Sequence, residues 1–244
     1  MPAPADDILQ HLKVVDIERE RRLAQPELMP RITALKAYQQ RRFSLTYADL
    51  LRSARYGPAA RYFLDELYGP ADFTRRDAQF ARVAPAMARL FPKELATTIV
   101  TLAELHALSE TLDTAMGVEL ASARIRAIDY IGAWQRVDRA QDRERQIVLT
   151  LDIAGHLDRI TRLPLLRNSL RLMRGPARAA GLAELQHSLE AGFDTFRSMK
   201  GAQEFIALVG SRERGFAATL FAAGADHTDE RSSMARALAS LPAD

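Results

Sequence analysis

The sequence predicts an all-α fold: a compact multi-helix bundle of about nine or ten helices, with short connections and no sheet. Three observations carry that expectation. Long stretches are built from Ala, Leu, Arg, Glu and Gln, which are strong helix formers. Apolar residues return at steps of three and four instead of alternating. β-branched residues, which strands favour, rarely come in runs.

Start and stop signals then place the elements in order. A first helix is expected from about Asp6 to Ala24, closed by Gln25-Pro26, and a second from there to about Arg42 with Pro30 near its start. Together they make an N-terminal helical arm, residues 1–45, packed on the core. Thr46-Tyr47-Ala48-Asp49 reads as a capping box, and Thr74-Arg75-Arg76-Asp77 repeats the signature. Between them, Pro58 to Tyr68 forms a short amphipathic helix stopped by Gly69-Pro70. The helix from Asp77 to Phe91 crosses Pro85, which kinks it or ends it early.

Pro92 opens the best-patterned helix, since proline is tolerated in a first turn. Leu95, Leu102, Leu105, Leu112 and Met116 form its buried stripe, and Gly117 is its stop. Further helices are expected over Ser122–Val137, Asp142–Thr161, Pro164–Arg174, Leu182–Met199 and Ala202–Ala223. Short connections make antiparallel neighbours the default. The core domain therefore spans 46–223, and residues 224–244, polar and irregular until Met234, read as a flexible C-terminal tail with one loose helical turn, which folding does not need.

Composition narrows the chemistry. With 48% hydrophobic and 27% charged residues in a chain of 244, the balance is that of a folded globular protein. The absence of cysteine excludes disulfides, thiolate metal sites and a cysteine nucleophile. Met1 to Asp7 has neither the basic start nor the apolar stretch of a secretory signal. No run approaches the roughly 18 apolar residues of a membrane span. A cytoplasmic protein without a membrane partner is the expectation. The formal net charge is only +3, so clustering of charge says more than its sum.

The segment from Tyr62 through Gly69-Pro70 to Asp77 resembles a family of uncharacterised proteobacterial helical proteins. Leu105-His106-Ala107-Leu108-Ser109-Glu110-Thr111-Leu112-Asp113 and Leu170-Arg171-Leu172-Met173-Arg174-Gly175-Pro176 are similar to it too. The resemblance implies a shared all-helical domain and carries no activity and no site residues.

The most uneven charge lies between Arg159 and Arg178, where six arginines occur without one Asp or Glu. Arg167, Arg171, Arg174 and Arg178 follow steps of four, three and four, which aligns them on one helix face opposite Leu163, Leu166, Leu170 and Met173. A row of guanidinium groups suits an acidic protein surface or a small anion. The competing account has them pairing with acids of neighbouring helices, such as Asp65, Glu66 or Asp72. Gly175-Pro176 also interrupts the row. Nucleic acid fits poorly, since neither interleaved aromatics nor a helix-turn-helix is present.

His106 stands beside the apolar stripe of the best helix. Its surroundings are similar to the proximal-histidine helix of globins, which makes a haem- or cofactor-binding protein with His106 as ligand the alternative reading. The other account is a boundary histidine paired with Glu110 one turn later. Glu184-Leu185-Gln186-His187 is a lone Glu-x-x-His on the polar side of a helix whose core face is Leu185, Leu189, Phe193 and Phe196. Asp152 and His156 read as an intrahelical pair, and Trp134 as core. No catalytic residue and no metal site are assigned, because hydrolase, phosphate-loop and zinc-protease motifs are all missing. The sequence thus points to a non-enzymatic helical binding or regulatory protein.

Overall fold

The computed structural model describes residues 4–66, 78–80, 82–83, 93–223 and 230–242. The fold is all-α, without a strand among the described residues. Twelve helices are described: α1 (Pro4–Leu23), α2 (Leu28–Thr46), α3 (Ala48–Arg52), α4 (Gly57–Glu66), α5 (Lys93–Glu119), α6 (Ala127–Val137), α7 (Ala140–Ile160), α8 (Pro164–Leu172), α9 (Arg174–Ala179), α10 (Ala183–Ser198), α11 (Gln203–Ala222) and α12 (Glu230–Ala239). The excess over nine or ten comes from short pieces such as α3 and α9, which hydrophobic periodicity over a long window does not register.

Four helices set the frame. Gly117 of α5 lies against Ile32 of α2, and Lys36 pairs with Glu110, so these two run antiparallel. Ser109 meets Gln146 and Thr98 meets His156, which makes α5 and α7 antiparallel as well. Glu144 pairs with Arg214 while Leu151 packs on Gly210, giving the same relation for α7 and α11. Arg42 of α2 and Tyr47, just past its end, reach Glu213 of α11 and close the ring. The members of this up-down frame are separated in the chain by α3 and α4, by α6, and by α8 to α10.

Helix α1 lies outside the ring, along α5 and parallel to it. Ile8 and Leu12 pack with Ile99 and Ala103, and farther along Arg22 bonds Glu110 and Thr114. Small residues at Ala96, Ala103 and Ala107, all buried, let α1 approach closely. The deepest stripe of α5 therefore includes alanines and polar groups beside Leu112 and Met116, while Leu102 and Leu105 are half-buried. Helix α2 belongs to the core itself, with Leu35 and Tyr38 in the same cluster as Trp134 and Leu220.

Three local expectations are corrected. Thr46 does not cap: helix α2 continues through it, its hydroxyl donates back to the Arg42 carbonyl at 3.0 Å, and Asp49 pairs with Arg212 instead. Gly117 does not stop α5, which runs on to Glu119; the glycine is a point of close approach, where a Cβ would sit 2.7 Å from Cγ1 of Ile32. Of the expected tail, the described residues 230–242 hold helix α12, and Ala237 and Leu241 join the core cluster of Trp134 and Phe216. The second capping signature at Thr74 to Asp77, the Gly69-Pro70 stop, Asp72, Pro85, Phe91 and Pro92 lie outside the described residues, as does the side chain of Leu95.

The approach at Gly117 gives a direct test. Gly117→Val is expected to cost about 1–3 kcal/mol through forced displacement of Ile32, read as a lowered midpoint in urea unfolding.

Candidate functional site

Among the described residues the core forms three separate apolar clusters, and residues of all three line a cavity of about 310 Å³. That volume is at the lower end of ordinary small-molecule sites. The helix registers divide its lining into two ends. One end is apolar, with Phe63 of α4, Leu102 and Leu105 of α5, Leu151 of α7, Leu185 of α10 and Phe205 of α11. The other is a charged floor, formed by Lys36, Arg42, Glu110, Asp113, Arg143 and Glu213, above Tyr130 and Trp134 of α6.

Each floor residue is held by a neighbouring helix. Arg22 donates through Nε to Thr114 at 2.9 Å, through Nη2 to the Glu110 carbonyl at 2.6 Å, and through Nη1 to the Glu110 carboxylate. Lys36 donates to the other oxygen of that carboxylate at 2.7 Å. Burial alone would raise the Glu110 pKa, but the adjacent charges of Lys36 and Arg22 outweigh it and bring the carboxyl down to about 2. At Asp113, one turn on, burial wins and the pKa is raised, although Gln39 donates to it at 3.2 Å and Lys36 lies 3.9 Å away.

On the opposite side, Arg42 donates to Glu213 at 2.6 Å and its guanidinium lies 4.4 Å from the centre of the Phe216 ring. Tyr47 donates to the same Glu213 oxygen at 2.7 Å. Arg143 stacks 4.1 Å over the Trp134 ring and donates to Gln146 at 3.1 Å, which in turn donates to Ser109. The result is a fixed, desolvated polar surface able to orient the polar end of a ligand. Gly192 helps to shape the wall: it lets the Tyr62 ring lie against α10, where the Tyr62 hydroxyl donates to the Ser188 carbonyl at 3.1 Å.

His106 lines this cavity, one turn before Glu110 on the same helix. The arginines of the row are elsewhere. Helix α8 ends at Leu172 and α9 begins at Arg174, so the four do not share one continuous helix face. Arg174 forms a two-pronged pair with Glu190, and Arg167 lies 3.1 Å from Asp194, both acids on α10. Arg171 and Arg178 are exposed. Partner acids thus come from α10 rather than from Asp65 of α4.

The remaining candidates fall in ordinary surroundings. His156 meets Thr98 at 3.1 Å, and burial with the nearby Arg159 charge lowers its pKa against the opposing pull of Asp152. Glu184 and His187 are exposed on α10, whose buried residues are Leu185, Gly192, Phe193 and Phe196, while Leu189 is exposed. Trp134 is buried in the core. Among the described residues no cluster of three or more His, Asp or Glu forms a metal-ligand set. None of their helices is long and apolar enough to cross a membrane.

Sequence reasoning missed Lys36, Arg42, Asp113, Arg143 and Glu213. One signal was present: His106, Glu110 and Asp113 follow steps of four and three, a polar stripe running down an otherwise apolar helix.

Fold and site define an all-α protein with an amphipathic cavity inside a helical ring. Residues 18–227 match the family described as Domain of unknown function (DUF8198), and the chain belongs to that family. No match was found among curated proteins or solved structures.

Proposed function

We propose that this is a non-enzymatic binding protein for a small amphiphilic molecule. The apolar body of the ligand lies among Phe63, Leu105, Leu151 and Phe205, and its polar head meets the floor of Lys36, Arg42, Asp113 and Arg143. The cavity between those two surfaces is the observation that carries the reading. The energetics support it: buried ion pairs are at best weakly stabilising, and well-packed apolar residues would serve a core as well or better. A charged floor beside an apolar chamber therefore has a use beyond stability. Arg167 and Arg174, engaged with α10, favour a structural part for that half of the arginine row.

Calorimetric titration with alkyl carboxylates, alkyl amines and alkyl alcohols of increasing length tests this. Each added methylene is expected to tighten binding by about 0.8 kcal/mol until the chamber is full, and the preferred head group identifies the floor's chemistry. Leu105→Trp and Ala154→Phe, which fill the chamber, are expected to abolish binding with an unchanged helical circular dichroism spectrum. Affinity that ignores chain length, or survives both fillings, disproves the reading.

A second reading keeps His106 as a haem ligand, because the imidazole lines the same cavity. Purified protein incubated with haemin should then give a sharp Soret band that His106→Ala removes. A spectrum identical to free haemin ends it.

A further inference from the structure

We propose that the corner formed by α8 and α9 docks on an anionic lipid surface, with Leu163, Leu172 and Met173 entering the interface and Arg159, Arg171 and Arg178 meeting the headgroups. Leu172 is 79% exposed, Leu163 56% and Met173 51%, and all three fall within one eleven-residue stretch. Leu163 and Leu172 stand at opposite ends of α8, a span of about 14 Å at the ordinary helical rise. Around them, residues 159–181 contain six arginines and no Asp or Glu.

Three of the six are engaged in ion pairs. Arg162 pairs with Asp158, Arg167 with Asp194 and Arg174 with Glu190, which tie this corner to α7 and α10. Arg159, Arg171 and Arg178 are exposed, with no acid in ion-pair contact among the described residues. Exposed leucines flanked by free arginines match the two layers of an anionic membrane surface: headgroup phosphates for the guanidinium groups, acyl chains for the apolar tips.

An acidic protein partner would satisfy the charges but would also need sockets for Leu172 and Met173. Neither side chain lines the cavity described above, and both are exposed. A soft interface fits a projecting corner better than a shaped partner does. The corner also packs on α10, which supplies Leu185, Ser188 and Leu189 to the apolar end of the cavity. Docking would place that end beside the bilayer, but the inference stands on the exposed corner alone and does not require the cavity to hold a ligand.

The test is co-sedimentation of the full chain with vesicles of phosphatidylcholine alone, and of phosphatidylcholine mixed with phosphatidylglycerol. Binding is expected to the mixed vesicles, weakly or not at all to the neutral ones, and to fall as salt is added. Leu172→Glu with Met173→Glu should abolish it. Arg171→Gln with Arg178→Gln should weaken partitioning by roughly fivefold per charge removed. All four positions are exposed, and an unchanged circular dichroism spectrum verifies the fold of each variant. Ala154→Phe should sediment as the wild type does, so a failure of the cavity reading leaves this result standing.

Equal retention on both vesicle types, or retention indifferent to both double variants, overturns the proposal. So does a wild-type chain that ignores vesicles but elutes as a dimer dissociated by Leu172→Glu, which would assign the corner to a second copy of the chain. Binding to soluble polyglutamate without binding to vesicles would assign it to an acidic protein and overturn the proposal equally.

Discussion

Glu110→Ala is expected to destabilise the protein by about 3–5 kcal/mol, because it leaves the buried Arg22, and the half-buried Lys36 beside it, without their shared counter-ion. Arg22 is 5% exposed and donates to both the carboxylate and the carbonyl of residue 110, so it has no short route to water. Urea unfolding followed by circular dichroism measures the loss. Asp113→Asn makes the informative contrast. Burial raises that carboxyl's pKa, so its ionised form is disfavoured in the fold, and the neutral amide is expected to be near-neutral or stabilising. Equal losses at the two positions would show that the charges of this floor are not organised around Glu110.

The same pair gives the pH dependence its sign. The Glu110 carboxyl is lowered from 4.5 to about 2 in the folded state, so the unfolded chain binds its proton more readily. Its contribution, about 3 kcal/mol by linkage, is fully present above pH about 4.5 and is lost as the pH falls toward about 2. Asp113 acts in the opposite sense: a raised folded-state pKa contributes stability only as the pH falls. Acid unfolding of the wild type should therefore be steeper in Asp113→Asn, where this compensation is removed, and shallower in Glu110→Gln.

Truncation after residue 229 should cost about 3–5 kcal/mol, the scale of one buried leucine, a buried alanine and a partly buried methionine together with the surface they uncover. Leu241 and Ala237 are buried against the cluster of Trp134, Phe216 and Leu220, and Met234 packs beside them. Thermal unfolding of the shortened chain measures it, and Leu241→Ala, expected to lose about 2 kcal/mol or more, localises the effect. A truncated protein as stable as the full chain would show that α12 does not belong to the core.

This C-terminal helix also shows where the sequence stopped being informative. Composition and period identified an all-α chain, and most long helices fell within a few residues of expectation, because amphipathicity is written locally. Residues 224–244 looked dispensable because the stretch before Met234 is polar and irregular, and only the tertiary cluster makes Ala237 and Leu241 core. Gly117 read as a stop for the same reason: glycine's local meaning is a helix end, whereas here it admits Ile32 from another helix. Thr46 carried the letters of a cap while the helix ran through it, its local hydroxyl bond made backward instead.

The site was less legible than the fold. His106 and Glu110 were visible as neighbours on one helix, but Lys36, Arg42, Arg143 and Glu213 come from three other helices, and nothing in their local sequence separates a buried arginine from an exposed one. The arginine row was conspicuous as composition. Its geometry depends on the break between α8 and α9 and on Glu190 and Asp194, a helix away.

Arg22, coming from α1, grips the middle of α5 together with Lys36 from α2, so three helices are riveted at one buried point. The opposite wall, α8 to α10, is tied by side chains that water can reach. Amide hydrogen exchange should accordingly divide the molecule. Amides near Glu110 should exchange only through global unfolding, and those of α8 and α9 through small, frequent openings. Traffic into the interior would then pass on the α10 side, with the riveted half serving as the fixed jaw of a vice.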